Sequence, residues 1–351
     1  MKKLRLLLWP FAVLYDGIMR LRNFLYDKKI LRSARFHLPV ICVGNLSVGG
    51  TGKTPQTEYL IRLLQPDYKV GVLSRGYKRK TKGFVMAGEN ATAAAIGDEP
   101  MQLHAAYPET KIAVCEDRLT GIPQLLEAAP DIQVLLLDDA LQHRSVQAGC
   151  NILLTEYGHP FYGDFVLPAG NLRESRAGKQ RAQAIIVTKC PPDLPLRDAQ
   201  RIKDKIGAKG IPVFFSAIQY LPLTDFYTGL PAAASPKGNA TLLVAAIARP
   251  APIMAHLKNN GDAVSPLFFA DHHAFAAKDI AQIIGRYHSL PHGHRRIVTT
   301  TKDAVKLLPF KSEFSEANVN MVVLPIGTEF LFGEGAAFDE LVRGYIGKGH
   351  C

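Results

Sequence analysis

Eight consecutive residues, Ser47-Val48-Gly49-Gly50-Thr51-Gly52-Lys53-Thr54, constrain this chain more than any other stretch. They follow Val40-Ile41-Cys42-Val43-Gly44, which reads as a short buried strand, and they open a helical pattern running from about Lys53 to Leu64. Strand, glycine-rich turn and helix in that order make a phosphate cradle. The glycines let backbone N–H groups converge on a phosphate, and the helix N-terminus adds partial positive charge. Lys53 would reach the β- and γ-phosphates of a nucleotide, and Thr54 would hold Mg²⁺. The usual pattern opens on Gly, whereas Ser47 holds that position here; Gly49 and Gly50 keep the loop permissive.

A second element completes a nucleotide site. Val134-Leu135-Leu136-Leu137-Asp138-Asp139 is an apolar strand with acids at its carboxyl end, the edge at which open α/β sheets bind ligands. Asp138 or Asp139 could coordinate Mg²⁺ directly or through water, and either could instead cap the next helix. Gln142 and His143 follow closely enough to line the same cleft, although a packed or capping His143 fits the sequence equally well.

Further strands read at 70–73, 112–114, 152–155 and 184–188, alternating with helical stretches. That alternation predicts a mostly parallel sheet with helices on both faces, a P-loop NTPase-like α/β fold. Strands near 212–216 and 224–227 read as a two-strand linker spanning 213–238, and 241–245, 296–300 and 322–324 as a smaller α/β unit over 239–351. The nucleotide-binding unit is then 36–212, behind a basic segment at 1–35. Val187-Thr188-Lys189-Cys190 lacks the Asp of a guanine-reading motif and reads as a strand end.

Charge narrows the partner. The 351 residues carry 42 Lys and Arg against 31 Asp and Glu, a formal net charge of +11. That favours an anionic partner such as a phosphate-bearing substrate or an anionic membrane surface. No aromatic-rich basic strand or recognition helix supports nucleic acid. The five cysteines include no CxxC pair, which points to a reducing compartment, and the adjacent His272 and His273 lack further ligands at zinc spacing. Phe11, Leu14, Ile18, Leu21 and Leu25 share one helical face and Asp16, Arg20, Asn23 and Asp27 the other, while Lys2, Lys3, Arg5, Arg22, Lys28 and Lys29 would suit anionic headgroups. No small-residue cleavage site follows the N-terminal apolar run, so a signal peptide is not expected. Periodicity alone is equally compatible with a helix packed on its own domain and one lying in a membrane interface.

An ordered set of motifs then resembles the tetraacyldisaccharide 4'-kinase family. It comprises Gly44 to Pro55, Leu73-Ser74-Arg75-Gly76-Tyr77, Gly97-Asp98-Glu99-Pro100, Asp138 to His143, Leu167 to Glu174, Asp271-His272-His273 and Thr299 to Val305. The family usually has Gly-Phe where this chain has Ala140-Leu141, Pro at Asn171 and Glu at Thr301. The resemblance implies two α/β/α lobes with the active site between them. It implies ATP and Mg²⁺ as cofactors, a lipid A precursor glycolipid as acceptor, and a location on the cytoplasmic face of the bacterial inner membrane. It also implies that Asp98 acts with His272 on the sugar hydroxyl, that Glu99 helps Thr54 hold Mg²⁺, and that Asp138, Asp139, Gln142 and His143 line the centre. Arg75, Arg118, Arg173 and Arg176, with Glu174, become candidates for phosphate or headgroup binding, since guanidinium pairs bidentately with phosphate oxygens. Without the resemblance, Arg118 and Arg176 would read as solvated charges. A P-loop switch that hydrolyses nucleotide to control a partner is the competing class; it would need neither Asp98 nor His272.

Overall fold

The computed structural model describes residues 5–233, 238–291 and 293–347. Lys2, Lys3, Leu4, His292, Cys351 and part of the Leu230–Gly238 loop lie outside them. The large lobe holds Val40–Asn45 (β1), Val70–Ser74 (β2), Val85–Met86 (β3), Lys111–Val114 (β4), Val134–Asp138 (β5), Cys150–Glu156 (β6), Ala184–Thr188 (β7) and Val213–Tyr220 (β8). The small lobe holds Thr224–Asp225 (β9), Ala240–Ala245 (β10), Ala263–Phe268 (β11), Arg295–Thr300 (β12) and Met321–Leu324 (β13). The last strand, Ile326–Phe330 (β14), returns to the large lobe.

The large sheet runs β14-β8-β7-β6-β1-β5-β2-β4-β3, parallel except at its two edge pairings. Its central strands read as unbroken apolar runs because both faces are covered. Successive side chains point to opposite faces, so Val40 and Cys42 of β1 enter one core cluster and Ile41 and Val43 the other. Leu135 and Leu137 of β5 split from Val134 and Leu136 in the same way. The chain builds β5, β2 and β4 on one side of β1, then crosses to build β6, β7 and β8 on the other. The carboxyl ends of β1 and β5 sit at that reversal, where such sheets bind ligands.

The small sheet runs β11-β10-β12-β13-β9, parallel except for β9. Its strands alternate in the same fashion: Leu242 and Val244 enter one cluster and Leu243 the other. Strand β11 escapes a sequence reading because it is a half-exposed edge strand interrupted by Pro266.

The expected boundaries at 213–238 and 239–351 change. Val213–Tyr220 is not a free-standing linker but a strand of the large sheet, and its antiparallel partner is β14 rather than 224–227. Thr224–Asp225 pairs with β13 in the small sheet. The chain crosses between the lobes at 221–223 and again at Pro325, where Leu221 N–H donates to the Pro325 carbonyl at 3.0 Å. The final helix, Gly335–Ile346, lays Phe338, Val342 and Ile346 into the large-lobe core. Each such burial stabilises by roughly 1.5–3 kcal/mol, which holds this helix to the first lobe.

The N-terminal helix, Trp9–Asp27, inverts the usual arrangement: only Ala12 is buried. Phe11, Leu14, Ile18 and Leu21 are 58–65% exposed, Val13 and Phe24 join them, and Leu25 is half-buried. The polar side faces the protein instead. Asn23 donates to Glu174 Oε2 at 3.0 Å, and Arg144 donates to the Asn23 carbonyl and to Asp27. Tyr15 donates to the Arg173 carbonyl and Arg22 to that of Gln142. Arg5 and Arg22, expected to meet headgroups, are therefore committed to the protein: Arg5 grips the Pro168–Asn171 turn. Lys28 and Lys29 remain exposed. Among the described residues no helix is long and apolar enough to cross a membrane.

Candidate active site

The segment from Ser47 to Thr54 links β1 to the helix Lys53–Leu64. Gly49 and Gly52 take φ of +110° and +87°, a region that side chains rarely adopt. The loop is held from three sides. Asn45 Nδ2 donates to Thr51 Oγ1 at 2.8 Å, Thr188 Oγ1 donates to the Thr51 carbonyl at 2.7 Å, and Val48 N–H donates to the Asn171 carbonyl at 2.8 Å. Lys189 Nζ reaches the Gly50 carbonyl and lies 3.6 Å from buried Glu156. The 187–190 segment is thus a strand end that also buttresses the phosphate loop. Reading it for a base motif missed this role, which depends on β7 and β6 ending beside β1.

Lys53 Nζ lies 3.7 Å from Asp139 Oδ2, and Arg173 Nη1 donates to Asp139 Oδ1 at 2.8 Å. Burial alone would raise the Asp139 carboxyl, but Lys53 and then Arg173 outweigh it and hold it below its usual range. Asp138 is different. It is buried, Ser74 Oγ approaches its Oδ2 at 3.4 Å, and its Oδ1 has no partner among the described residues. Burial first, and then the nearby Glu99 carboxylate, push it up to about 7 against the pull of Lys53. A buried carboxylate oxygen without a donor, near a second carboxylate, fits a position for a cation. Thr54, Glu99 and Asp138 are oxygen donors of the kind magnesium takes alongside nucleotide phosphates. Among the described residues no three His, Cys, Asp or Glu side chains form a metal cluster by themselves.

Asp98 and Glu99 occupy the first turn of the helix Asp98–Ala106, and Gly97 at φ +95° leads into it. A Cβ at Gly97 would stand 3.2 Å from the Tyr77 carbonyl, a tight approach in a backbone conformation that side chains rarely adopt. From the small lobe, His272 at φ +62° turns its ring into the cleft. Its Nδ1 lies 3.1 Å from Asp98 Oδ2, and the Tyr77 ring meets it edge-on at 5.6 Å. Tyr77, Asp98, Glu99, Pro100 and His272 line one small pocket. His273 turns away, bonding Asp279 at 2.9 Å and stacking on Phe269.

The remaining candidates separate. Gln142 Nε2 donates to the Asn45 carbonyl and to Glu174 Oε1, both at 2.9 Å. Glu174 is buried and already engaged by Arg181 at 2.6 Å, Gln142 and Asn23, so it knits the N-terminal helix to the site. Arg118 is neither a surface charge nor exposed to the cleft. It is fully buried and donates to the carbonyls of Cys115, Glu116 and Asp138. Arg75 stands exposed just past the end of β2, and among the described residues it makes no hydrogen bond or ion pair. Arg176 holds the Asp164 carbonyl and overlies Phe165. His143 is half-buried; burial first, then the cations Arg118 and Arg75, push it down to about 4, so its ring is neutral at pH 7.

This geometry has relatives. The sequence pattern of the tetraacyldisaccharide-1-P 4'-kinase family matches residues 4–346. A Bacteroides thetaiotaomicron protein named tetraacyldisaccharide 4'-kinase is 45% identical over 97% of this chain and 92% of its own length. A Flavobacterium johnsoniae protein of the same name is 47% identical over 92% of this chain and 96% of its own. The fold matches a crystal structure of the "apo" form of LpxK from Aquifex aeolicus in complex with ATP, with a TM-score of 0.77 and 30% identity, covering 98% of this chain and 99% of that one. With such relatives along almost its whole length, this chain belongs to the tetraacyldisaccharide-1-P 4'-kinase family.

Proposed function

We propose that this chain transfers the γ-phosphate of ATP to the 4'-hydroxyl of a tetraacylated glucosamine disaccharide 1-phosphate, a step in lipid A formation. One observation carries the reading: a carboxylate–histidine pair, Asp98 and His272, joins the two lobes beside a P-loop. A nucleotide-driven switch needs no such pair.

Phosphoryl transfer depends on positioning and charge neutralisation. Lys53 and the loop N–H groups hold the phosphates, and Asp139 keeps Lys53 in place. Magnesium, held by Thr54, Glu99 and Asp138, would supply the remaining neutralisation when bound. Asp98, oriented by His272, takes the acceptor proton. Arg173 and Gln142 stand next to Asp139 at the mouth of the site, where a sugar headgroup would lie.

The enzyme works peripherally, at the cytoplasmic face of the inner membrane. The support is the N-terminal helix, which docks by its polar side and turns an apolar stripe outward. Such a stripe suits the headgroup–acyl boundary, where the acceptor's chains are anchored.

Purified protein incubated with γ-labelled ATP and the lipid disaccharide monophosphate should yield a labelled bisphosphorylated lipid. Release of inorganic phosphate at the same rate with and without acceptor would instead favour the switch.

A further inference from the structure

The helix Thr301–Leu307 belongs to the small lobe and packs against the helix Asp98–Ala106. It carries two lysines one turn apart, and they straddle the Asp98–His272 pair. Lys306 Nζ lies 2.8 Å from Asp303 Oδ1 and 3.9 Å from Asp98 Oδ2. Lys302 Nζ lies 3.3 Å from His272 Nε2 and 3.7 Å from Asp271 Oδ1. Across the cleft the order is Asp303, Lys306, Asp98, His272, Lys302, Asp271: acids and bases alternate except where His272 meets Lys302. The two lysine side chains are only 7% and 20% exposed, where such contacts are stronger than at a surface. The groups facing the pair are Glu99 and Tyr77 from the large lobe and Lys302, Lys306 and Asp271 from the small one.

An ammonium group can only donate. Lys302 therefore needs a lone pair on His272 Nε2. The ring proton of a neutral His272 then sits on Nδ1, where it donates to Asp98 Oδ2. In the opposite tautomer an Nε2–H would face the ammonium and the Nδ1 lone pair would face the carboxylate, so both contacts would repel.

We propose that Lys302 is a positioning residue that fixes His272 in its neutral, Nδ1-protonated tautomer and thereby leaves Asp98 Oδ1 as the atom that takes the acceptor's proton. This rests on the reading of Asp98 and His272 as the pair that activates the acceptor. The step balances without a further reactant. The acceptor O–H bond breaks and its proton goes to Asp98 Oδ1. The freed electron pair forms the new O–P bond as the bond between the γ-phosphorus and the β–γ bridging oxygen breaks, releasing ADP. His272 keeps its own proton throughout.

The test reads the tautomer directly. Full-length protein labelled with ¹⁵N-histidine is examined by two-bond ¹H–¹⁵N correlation, with His272 assigned by its loss in His272→Gln. The wild-type ring should show a protonated Nδ1 and an unprotonated Nε2, and Lys302→Met should move it toward the other tautomer. Lys302→Met should also lower kcat by roughly ten- to a hundredfold, as small misplacements of a reacting group do, while leaving the KM for ATP near wild type. Lys302→Arg, which retains a donor, should recover both the tautomer and most of kcat. A protonated Nε2 in the wild type, or an unchanged tautomer or kcat in Lys302→Met, overturns the proposal. If the methionine variant does not fold, the wild-type spectrum and the arginine variant still decide. Full activity in Asp98→Ala would instead remove the acceptor-activating reading itself, whatever the tautomer.

Discussion

His272 Nδ1 lies 3.1 Å from Asp98 Oδ2, although 174 positions of sequence separate them. One residue opens a helix of the large lobe and the other sits in a loop of the small lobe, so the pair exists only when the lobes meet. Asp98→Ala should lower kcat by about two to four orders of magnitude and spare ATP binding, because the phosphate loop is untouched. His272→Ala should act on the same step. The double variant should lose far less than the product of the single losses, as groups working as a unit do. Steady-state kinetics of the three variants checks this; fully multiplicative losses would mean independent roles.

Lys53→Ala should lower turnover by several orders of magnitude, since it removes the cation that would face the nucleotide phosphates. It also frees Asp139, whose low pKa depends on Lys53 and Arg173. Near-normal ATP-dependent labelling of the lipid in this variant would sink the phosphate-loop assignment.

The outward stripe on the N-terminal helix can be tested without dismantling the helix, whose polar side secures Glu174, Gln142 and Arg173. Ile18→Glu with Leu21→Glu changes only exposed positions. The double variant should stay folded, lose binding to anionic liposomes in flotation, and raise the apparent KM for lipid more than for ATP. Equal liposome binding by variant and wild type would mean that the stripe does not meet the membrane.

Arg118→Met should act on stability. It leaves the carbonyls of Cys115, Glu116 and Asp138 without their buried donor, at a cost on the order of 3 kcal/mol. Thermal unfolding should show a clear fall in Tm. An unchanged Tm with a raised KM for the acceptor would return Arg118 to the substrate site.

Asp138→Asn removes a carboxylate from the space shared with Glu99. Turnover should then require a higher Mg²⁺ concentration, and chelation should abolish wild-type activity. A magnesium titration of both proteins checks this, with coincident curves arguing against Asp138 as a ligand.

Features that a few consecutive residues can build were legible in the chain. The phosphate loop works through neighbouring backbone N–H groups and the start of one helix, so Ser47 to Thr54 carry their meaning locally. The same holds for Val134 to Asp138, whose apolar run could only be a strand buried on both faces. Family resemblance added the Asp98–His272 pairing as an expectation. Packing of distant segments settles which charges are spent inside the fold. Arg118 and Glu174 are consumed by buried partners, and Arg5 and Arg22 turn inward from the stripe they were expected to flank. It also returned residues 326–346 to the first lobe, where β14 closes the edge of β8 and the last helix covers the apolar face over β1. Lys302 and Lys306 show the same division. In the chain they are two lysines on a short helix, and they become partners of His272 and Asp98 because packing two lobes places charges from distant segments within 4 Å, where a buried pair must be satisfied.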